Sequence, residues 1–332
     1  MFLVLTIIMF ISKRKVKSKD YFYLEDRLFG KRISFFLGPK KTLTKNIGEA
    51  FDSLIQQTAL ENLKFSQKEF KTNNLSLNES LVLERLKIDY SLLSYFFPKE
   101  FESFKEDEFV RYAQGSASVE GNSLSLQEAN LVLSKGISIS GKKVDEIREI
   151  ENMRFAAKES KNITELNERN IRRIHSAIMR GFDDKKPGEY RDGPMFITGS
   201  ATKPPSAEQV PKEMEKLINW LNKSKEIKPP IELAAEFHAR FEEIHPFLDG
   251  NGRTGREVLN VILQNAGYPR AIINLENRQS YIVLLERLQV NKEYNKFSKF
   301  IYLCLEKRAQ ELSTTIKENR QSILKKLLKK AI

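Results

Sequence analysis

The sequence predicts a mainly α-helical protein with a short β-hairpin near residue 195 and a strand pair near its N-terminus. The helices are predicted because apolar residues recur at three- and four-residue spacing in several long segments, which is the period of one helix face. The strands are predicted because aromatic and β-branched residues form two short runs beside glycine or proline, at residues 20–37 and 194–199.

The first hundred residues are predicted to form an N-terminal extension. Residues 20–37 are broken at Gly30 and indicate the strand pair, whereas residues 44–72 and 77–106 place leucines at helical spacing. We therefore predict three parts: the extension at residues 1–100, a second domain at 101–312, and a basic amphipathic helix at 313–332.

The chain begins with twelve apolar residues, MFLVLTIIMFIS, followed by the basic run KRKVKSK. This is shorter than the roughly 20 residues of a membrane-spanning helix. A signal peptide would carry its positive charges before the apolar run and not after it. We interpret the segment as an additional start segment or a buried strand, with weak membrane contact as the alternative.

Residues 245–256 read HPFLDGNGRTGR and carry the most specific signal in the chain. The preceding segment, PPIELAAEFHARFEEI, has one apolar face and two prolines that suit the start of a helix. The following segment, REVLNVILQNAG, has a second apolar face and a glycine, Gly267, placed to end a helix. The motif is therefore predicted to join two helices.

The residue types of this motif suit a polyphosphate. Gly250 and Gly252 let the backbone approach a ligand and turn N–H groups towards it. Those donors would stand at the start of the second helix, where the helix dipole favours an anion. Arg253 and Arg256 are three residues apart, so both guanidinium groups could reach one polyanion.

Two further residues of the motif indicate a reaction. Asp249 suits a Mg²⁺ ion that bridges phosphate oxygens. His245 is suited to accept a proton near neutral pH. The other two histidines, His175 and His238, are predicted to be packed or surface residues. The alternative for the whole motif is a well-capped loop without chemistry, which would require its polar and glycine positions to coincide by accident.

A second glycine-containing segment, GISISGKK at residues 136–143, falls one residue short of the phosphate-binding loop of nucleotide hydrolases. Lysine stands where that loop needs Ser or Thr for Mg²⁺, and the segment follows a helical pattern and not a strand. We interpret it as a polar loop.

The motif at residues 245–256 fits the pattern H-x-F-x-[DE]-G-N-G-R-x-x-R of Fic proteins at every fixed position, and the chain resembles that family over about residues 100–310. KPGEYRDGPMFITGS at residues 186–200 looks like the family's flap hairpin, and PPSAEQVPKEMEKLINWL looks like the helix after it. ENRQSYIVLLERLQ at residues 276–289 resembles the helix that closes over the nucleotide base.

The resemblance implies a protein adenylyltransferase, which moves AMP from ATP to a Ser, Thr or Tyr hydroxyl of a target protein. His245 would deprotonate the attacking hydroxyl, and Asp249 would hold Mg²⁺ against the α- and β-phosphates. The phosphates would be cradled by Asn251 and by the N–H groups around Gly250 and Gly252, with Arg253 on the β-phosphate and Arg256 on the γ-phosphate.

The resemblance also implies how nucleotide and target are held. The flap residues Ile197, Thr198, Gly199 and Ser200 would border the nucleotide, and Tyr281 and Gln289 match positions near the adenine. The family often has Asn where Gln289 stands. From the residues alone, Met195–Ile197 reads as a short strand whose exposed edge could pair with an extended target segment, or as an ordinary surface hairpin.

An inhibitor of the site is predicted within the same chain. SASVEG, from Ser116 to Gly121, fits the inhibitory pattern [ST]-x-x-x-E-[GN] that many Fic proteins carry before the core. In relatives this glutamate, here Glu120, pairs with the second arginine of the motif, here Arg256, and displaces the γ-phosphate. Ser116 would share a helix face with Glu120. A capping box of Ser125 and Glu128 would open the next helix.

Composition agrees with a cytoplasmic enzyme. The single cysteine, Cys304, excludes an internal disulfide framework, and zinc-binding Cys/His spacings do not occur. The net charge of +12 comes from the chain ends, with eleven Lys or Arg against three Asp or Glu in residues 1–45 and six against one in 317–332. These ends could contact nucleic acid or an anionic membrane, although a solvated helix with one packed face is the commoner meaning of the last stretch.

Several alternatives stay open at this point. The same site could remove AMP from a modified protein if Glu120 orients a water molecule. The chain could also be a binding or antitoxin-like module with a silent site, which the intact motif argues against. Self-modification and a homodimer are further expectations, and neither the target protein nor the signal that relieves inhibition can be derived from the residues.

Overall fold

The computed structural model describes residues 9–28, 30–70, 74–196 and 202–331. Within these residues the chain is mainly helical, with twelve α-helices and one three-stranded antiparallel sheet. The residues fall into two compact units. Of the described residues, those within 9–69, 76–103 and 306–331 form one unit, the sheet-containing unit, and those within 70–75 and 104–305 form the other, the helical unit.

The sheet is a meander of β1 (Phe10–Val16), β2 (Lys19–Leu28) and β3 (Lys31–Gly38) in that order. The predicted strand pair is confirmed as β2 and β3. The strand β1 differs from the prediction, which took the apolar first twelve residues as one segment. Its second half is KRKV, and such a basic run is tolerated because β1 is an edge strand, where exposed lysine side chains can remain in water.

The sheet-containing unit buries one face of the sheet under α1 (Leu43–Glu69), and α2 (Leu77–Phe96) packs on α1. The stretch predicted as a single helix over residues 77–106 is divided, because Phe97 leaves the helical conformation and α3 (Pro98–Val119) starts at Pro98. A proline at the first position of a helix needs no N–H partner there.

The helical unit continues with α4 (Leu126–Lys135), α5 (Val144–Ser160), α6 (Glu168–Ile178), α7 (Val210–Ser224), α8 (Pro230–Ile244), α9 (Asn251–Asn265) and α10 (Arg278–Asn291). Its centre is the pair α8 and α9, which packs against α5, α6, α7 and α10. Residues 187–196 contain no strand, and residues 197–201 lie outside the described part, so the predicted hairpin is described only in its first half.

The chain ends with α11 (Tyr294–Glu318) and α12 (Arg320–Ala331). The basic helix predicted over residues 313–332 therefore starts later, at residue 320. It packs on β1 and α1 through Ile323, Leu324 and Leu327, which agrees with a solvated helix that has one packed face. The domain boundaries at residues 100 and 312 remain a prediction.

Outside the gaps noted above, no helix combines the length and the apolar character that crossing a bilayer requires.

Candidate functional site

The predicted motif joins α8 to α9, as expected. His245 follows the last turn of α8 in the left-handed region with φ of 48°, and Gly250 precedes α9 with φ of 74°. The side chain of Asn251 ties the loop together, because its Oδ1 accepts from the Phe247 N–H at 2.9 Å and its Nδ2 donates to the Phe247 carbonyl at 2.8 Å. Both polar atoms of the Asn251 amide therefore stabilise the loop.

A second histidine, His175, holds this loop through hydrogen bonds and ring stacking. The Nδ1 of His175 accepts from the Gly188 N–H at 2.8 Å, and its Nε2 donates to the Asp249 carbonyl at 2.9 Å. Its ring stacks on Phe247 with centroids 3.6 Å apart. Burial lowers the pKa of His175 to about 4, so the ring stays neutral and its two hydrogen bonds assign one tautomer. The prediction that His175 is a packed residue is confirmed.

The loop and the start of α9 border a cavity of about 320 Å³. Most of the predicted site residues line it: His245, Asp249, Gly250, Asn251, Gly252, Arg253, Arg256, Tyr281, Gln289 and Glu120. Ser116 lies behind Arg256. The flap residues Ile197, Thr198, Gly199 and Ser200 lie outside the described residues.

The first turn of α9 offers backbone N–H groups that no helix carbonyl can satisfy, together with the positive end of the helix dipole. A Cβ atom at Gly252 would overlap Oε1 of Glu120, so this carboxylate lies against the helix N-terminus. Glu120 therefore occupies the place where an anionic ligand would be bound.

Glu120 is placed by the way α3 ends. The Gly121 N–H donates to the Ser118 carbonyl and the Asn122 N–H to the Ala117 carbonyl, with Gly121 at φ of 102°. This is a Schellman C-cap, in which the residue after Glu120 must adopt the left-handed conformation that Gly and Asn tolerate. The choice of Gly or Asn in the inhibitory pattern thus has a backbone reason.

The buried guanidinium of Arg256 pairs with Glu120, with Nη2 at 2.8 Å from Oε1. It also donates from Nε to the Ser116 hydroxyl at 2.9 Å and from Nη2 to the Ser116 carbonyl at 2.8 Å. Burial raises the pKa of Glu120, but the guanidiniums of Arg256, Arg253 and Arg278 outweigh it and the pKa lies below its usual value. Glu120 is therefore an anion at neutral pH.

The imidazole of His245 stands at the mouth of the cavity, with its side chain 20% exposed. Burial is the largest influence on its pKa, which lies below the usual value, so the ring is neutral at pH 7. Nδ1 lies 3.4 Å from the Glu242 carbonyl oxygen. If the proton is on Nδ1, Nε2 is the acceptor and can serve as a base.

Asp249 and Arg253 are already paired. Nη2 of Arg253 lies 3.2 Å from Oδ1 of Asp249, and Nη1 donates to Glu149 at 3.0 Å. Oδ1 of Asp249 also accepts from the Gly250 N–H at 2.5 Å. In the part of the chain that the structure describes, no three His, Cys, Asp or Glu side chains form a group that could hold a metal ion alone. One carboxylate suits Mg²⁺ only when phosphate oxygens supply further ligands.

At the other end of the cavity, Tyr281 and Gln289 are engaged with protein groups. The Tyr281 hydroxyl is 2.7 Å from His238 Nε2 and 3.4 Å from Arg256 Nη1. Gln289 donates to the Ala239 carbonyl at 3.1 Å and accepts from the Thr202 hydroxyl at 2.9 Å. Tyr281 and Gln289 form part of the cavity wall. The apolar surface that a planar ligand ring could contact comes from residues that the sequence did not single out: Val119, Ile282 and Leu285.

Charged residues that the sequence did not single out include Glu242 and Arg278, which line the cavity, and Glu149. Glu242 stands three residues before His245, so helical spacing could have identified it as a neighbour of that histidine. Glu149 lies 104 residues before Arg253, and no local pattern links the two.

The central part of the chain is similar to proteins of one known family. Residues 165–263 match the model of the Fic/DOC family. The chain is 32% identical over 209 residues to a protein adenylyltransferase Fic of Drosophila erecta, covering 61% of this chain and 41% of that protein. It is 31% identical over 208 residues to the protein of the same name from Drosophila grimshawi, covering 61% and 42%. The chain thus spans about two fifths of the length of these curated relatives.

Two solved structures are similar in fold. One is a Fic domain containing signaling protein from Bacteroides thetaiotaomicron, with a TM-score of 0.65 and 25% identity over 71% of this chain and 97% of that one. The other is residues 134–508 of Fic-1 from C. elegans, with a TM-score of 0.58 and 22% identity over 83% of this chain and 98% of that one.

Proposed function

We propose that this chain, whose residues 165–263 match the Fic/DOC family, is a protein adenylyltransferase that transfers AMP from ATP to a Ser, Thr or Tyr hydroxyl of a target protein and is inhibited by its own Glu120. The observation that supports this most directly is the neutral His245 beside a helix N-terminus with two arginines. That arrangement combines a base with sites for polyphosphate charge, which is what in-line transfer to a hydroxyl needs.

The phosphates would bind where Glu120 now lies. The N–H groups at the start of α9, with Arg253 and Arg256, supply donors and positive charge for a triphosphate. The adenine would pack on the apolar wall beside Tyr281. Asp249 fits a Mg²⁺ ion that arrives with the nucleotide, and such an ion would neutralise phosphate charge when bound.

In the proposed reaction, Nε2 of His245 takes the proton of the target hydroxyl. The hydroxyl oxygen forms a bond to the α-phosphorus of ATP, the bond from that phosphorus to the β-phosphate oxygen breaks, and pyrophosphate leaves. Arg256 can bind the γ-phosphate only when it gives up its ion pair with Glu120 at 2.8 Å. The inhibited state thus keeps ATP from its productive position.

The first test replaces the inhibitory side chain. We expect Glu120→Gly to raise AMP transfer at least about tenfold, because a bias of about 1.4 kcal/mol against productive binding already corresponds to that factor. The readout is a mass gain of one AMP on the protein itself or on proteins of a lysate supplied with labelled ATP. Asn130→Ala, on the exposed face of α4, leaves the Glu120–Arg256 pair intact and should stay at the wild-type level.

The base is tested in the same background. Adding His245→Ala to Glu120→Gly should abolish the mass gain without loss of ATP binding by calorimetry. Transfer by that double variant would remove His245 from the proposed role. Release of AMP from a modified protein by the wild-type chain, without any gain in Glu120→Gly, would instead favour removal of AMP as the activity.

A cytoplasmic location is part of this proposal, and it is supported by the single cysteine of the chain.

A further inference from the structure

Glu242, on the last turn of α8, has a buried carboxyl group beside the imidazole of His245. The proposed reaction gives this carboxyl group no role. It is 7% exposed, and its Oε2 lies 3.8 Å from Nδ1 of His245. Its Oε1 is buried and has no hydrogen-bond partner among the described residues. An unpaired buried carboxyl oxygen costs free energy, so its presence requires a reason.

The neighbouring helix is shaped to admit this carboxyl. A Cβ atom at Gly255 of α9 would come within 2.7 Å of Glu242 Oε1 and within 2.7 Å of His238 Nδ1. Any residue larger than glycine would therefore push Glu242 out of this position. The absence of a side chain at Gly255 thus leaves space between α8 and α9, and the carboxyl group of Glu242 occupies that space.

Charged and titratable groups face Glu242 from every neighbouring element. Burial raises the pKa of Glu242 to about 8, Arg256 of α9 lowers it, and Glu120 after α3 raises it again. The remaining groups are His238 and His245 on α8 and Tyr281 on α10, whose own pKa Glu242 helps to raise. Glu242 is therefore neutral at pH 7 while Glu120 is in place, and departure of Glu120 favours its ionised form.

We propose that Glu242 is a positioning residue that sets the tautomer of His245, with its ionised Oε2 accepting the Nδ1–H proton so that Nε2 is free to act as the base. The main-chain carbonyl at 3.4 Å from Nδ1 is a weak partner on its own. A protonated Glu242 could donate to Nδ1, and the proton of His245 would then stand on Nε2, where it blocks proton transfer.

This arrangement couples inhibition to the base. Glu120 at Arg256 would prevent the γ-phosphate from binding, and its charge adds to the burial that raises the pKa of Glu242. In the nucleotide-free protein, release of Glu120 would then free the phosphate site and favour the ionised form of Glu242. The catalytic consequence rests on the proposed function, whereas the tautomer of His245 can be measured without any transfer reaction.

The test uses the intact chain and long-range ¹H–¹⁵N NMR of its imidazoles, which distinguishes the two tautomers. The chain has three histidines, and His175, with both ring nitrogens in hydrogen bonds to backbone groups, serves as an internal reference. In Glu120→Gly, we expect the Nδ1–H form of His245 to grow as the pH rises from about 6 to about 9.5. Adding Glu242→Gln should abolish this response.

Glu243→Gln is the matched control, because Glu243 is the next residue, lies at the surface and pairs with Lys292. In the Glu120→Gly protein, which is the parent of these variants, Glu243→Gln should leave the pH response of the His245 tautomer unchanged. Glu242→Asp should keep a weaker response, since its shorter side chain still ionises, and it covers the case in which Glu242→Gln fails to fold. An unchanged response in Glu242→Gln or a lost one in Glu243→Gln would overturn the proposal, and so would a folded Glu242→Asp variant without any response.

Kinetics in the Glu120→Gly background give the second readout. The kcat of AMP transfer should rise with pH in the parent and be flat and about tenfold lower at alkaline pH in Glu242→Gln, with the KM for ATP within about twofold. Equal kcat values in the two proteins would contradict the positioning role. A parent with the NMR response but no AMP transfer would contradict the proposed function and leave the tautomer assignment standing.

Discussion

At the scale of single residues, the site depends on backbone positions that few residues accept. His245 adopts φ of 48°, which is uncommon for a residue other than glycine. This conformation turns the imidazole out of α8 at the point where the chain enters the motif loop. Such strain persists only when surrounding contacts hold it, and here the amide of Asn251 and the ring of His175 hold the loop.

Gly255 provides a test of the space around Glu242. Gly255→Ala should destabilise the protein by about 1–3 kcal/mol, because the added Cβ overlaps the carboxyl of Glu242 and the ring of His238. Urea unfolding followed by circular dichroism would measure the change. Gly193→Ala, where a Cβ meets no atom within 4 Å, is the control and should change stability by less than about 0.5 kcal/mol. Equal values for both variants would show that the cluster is not tightly packed.

At the scale of elements, the turn between α3 and α4 connects Glu120 to the motif. Asn122 donates to the Glu146 carbonyl at 2.8 Å and to Glu149 Oε2 at 2.9 Å. Glu149 in turn accepts from Arg253 at 3.0 Å. The predicted capping box of Ser125 and Glu128 opens α4 and defines the other end of this turn. A chain of polar contacts thus runs from the C-cap of α3 to the first turn of α9.

Loosening this turn should weaken inhibition. Asn122→Ala removes two hydrogen bonds to α5, at a cost of about 1–3 kcal/mol for the groups left unpaired. We expect a several-fold gain of AMP transfer, smaller than the gain from Glu120→Gly, measured by the mass of the labelled protein. Asn130→Ala, on the exposed face of α4, should leave transfer at the wild-type level. If Asn122→Ala destabilises the protein without any gain of AMP transfer, the turn does not contribute to inhibition.

At the scale of the whole molecule, the basic ends of the chain belong to one unit. The edge strand β1 and the helix α12 both carry lysines and contact each other in the sheet-containing unit. Buried Ile323, Leu324 and Leu327 show that α12 uses its apolar face for packing. Lys325 and Lys329 are exposed on its other face, whereas the ammonium of Lys326 donates to the Phe96 carbonyl.

The packing of α12 can be measured directly. Leu324→Ala should lower the free energy of unfolding by about 2–5 kcal/mol, because Leu324 is 5% exposed and its removal leaves a cavity. Lys325→Ala on the exposed face should have an effect within about 0.5 kcal/mol. Urea unfolding of both variants checks this. A negligible effect of Leu324→Ala would mean that the apolar face of α12 is free in solution, which would favour the membrane-contact alternative.

The helices α8 and α9, the junction between them and the capping box at Ser125 could all be predicted from the sequence, because these features depend on residues within a few positions of each other. Helical periodicity, proline and glycine signals and the twelve-residue motif are local. The sequence did not predict that a strand continues into the basic run of β1, nor that the helical stretch divides at Pro98. A basic edge strand and a helix-starting proline can be recognised only from the elements that pack around them.

The sequence by itself determined the residue types of the site and their resemblance to the Fic motif, because twelve adjacent residues carry the glycines, the histidine and the two arginines. Only the tertiary structure decided which groups these residues face: Glu120 on Arg256 across 136 positions, Asn251 turned back onto its own loop, and Glu242 buried unpaired beside His245. The physical reason is that burial and charge pairing arise from helix packing between distant segments, and these interactions set the protonation of His245 and Glu242.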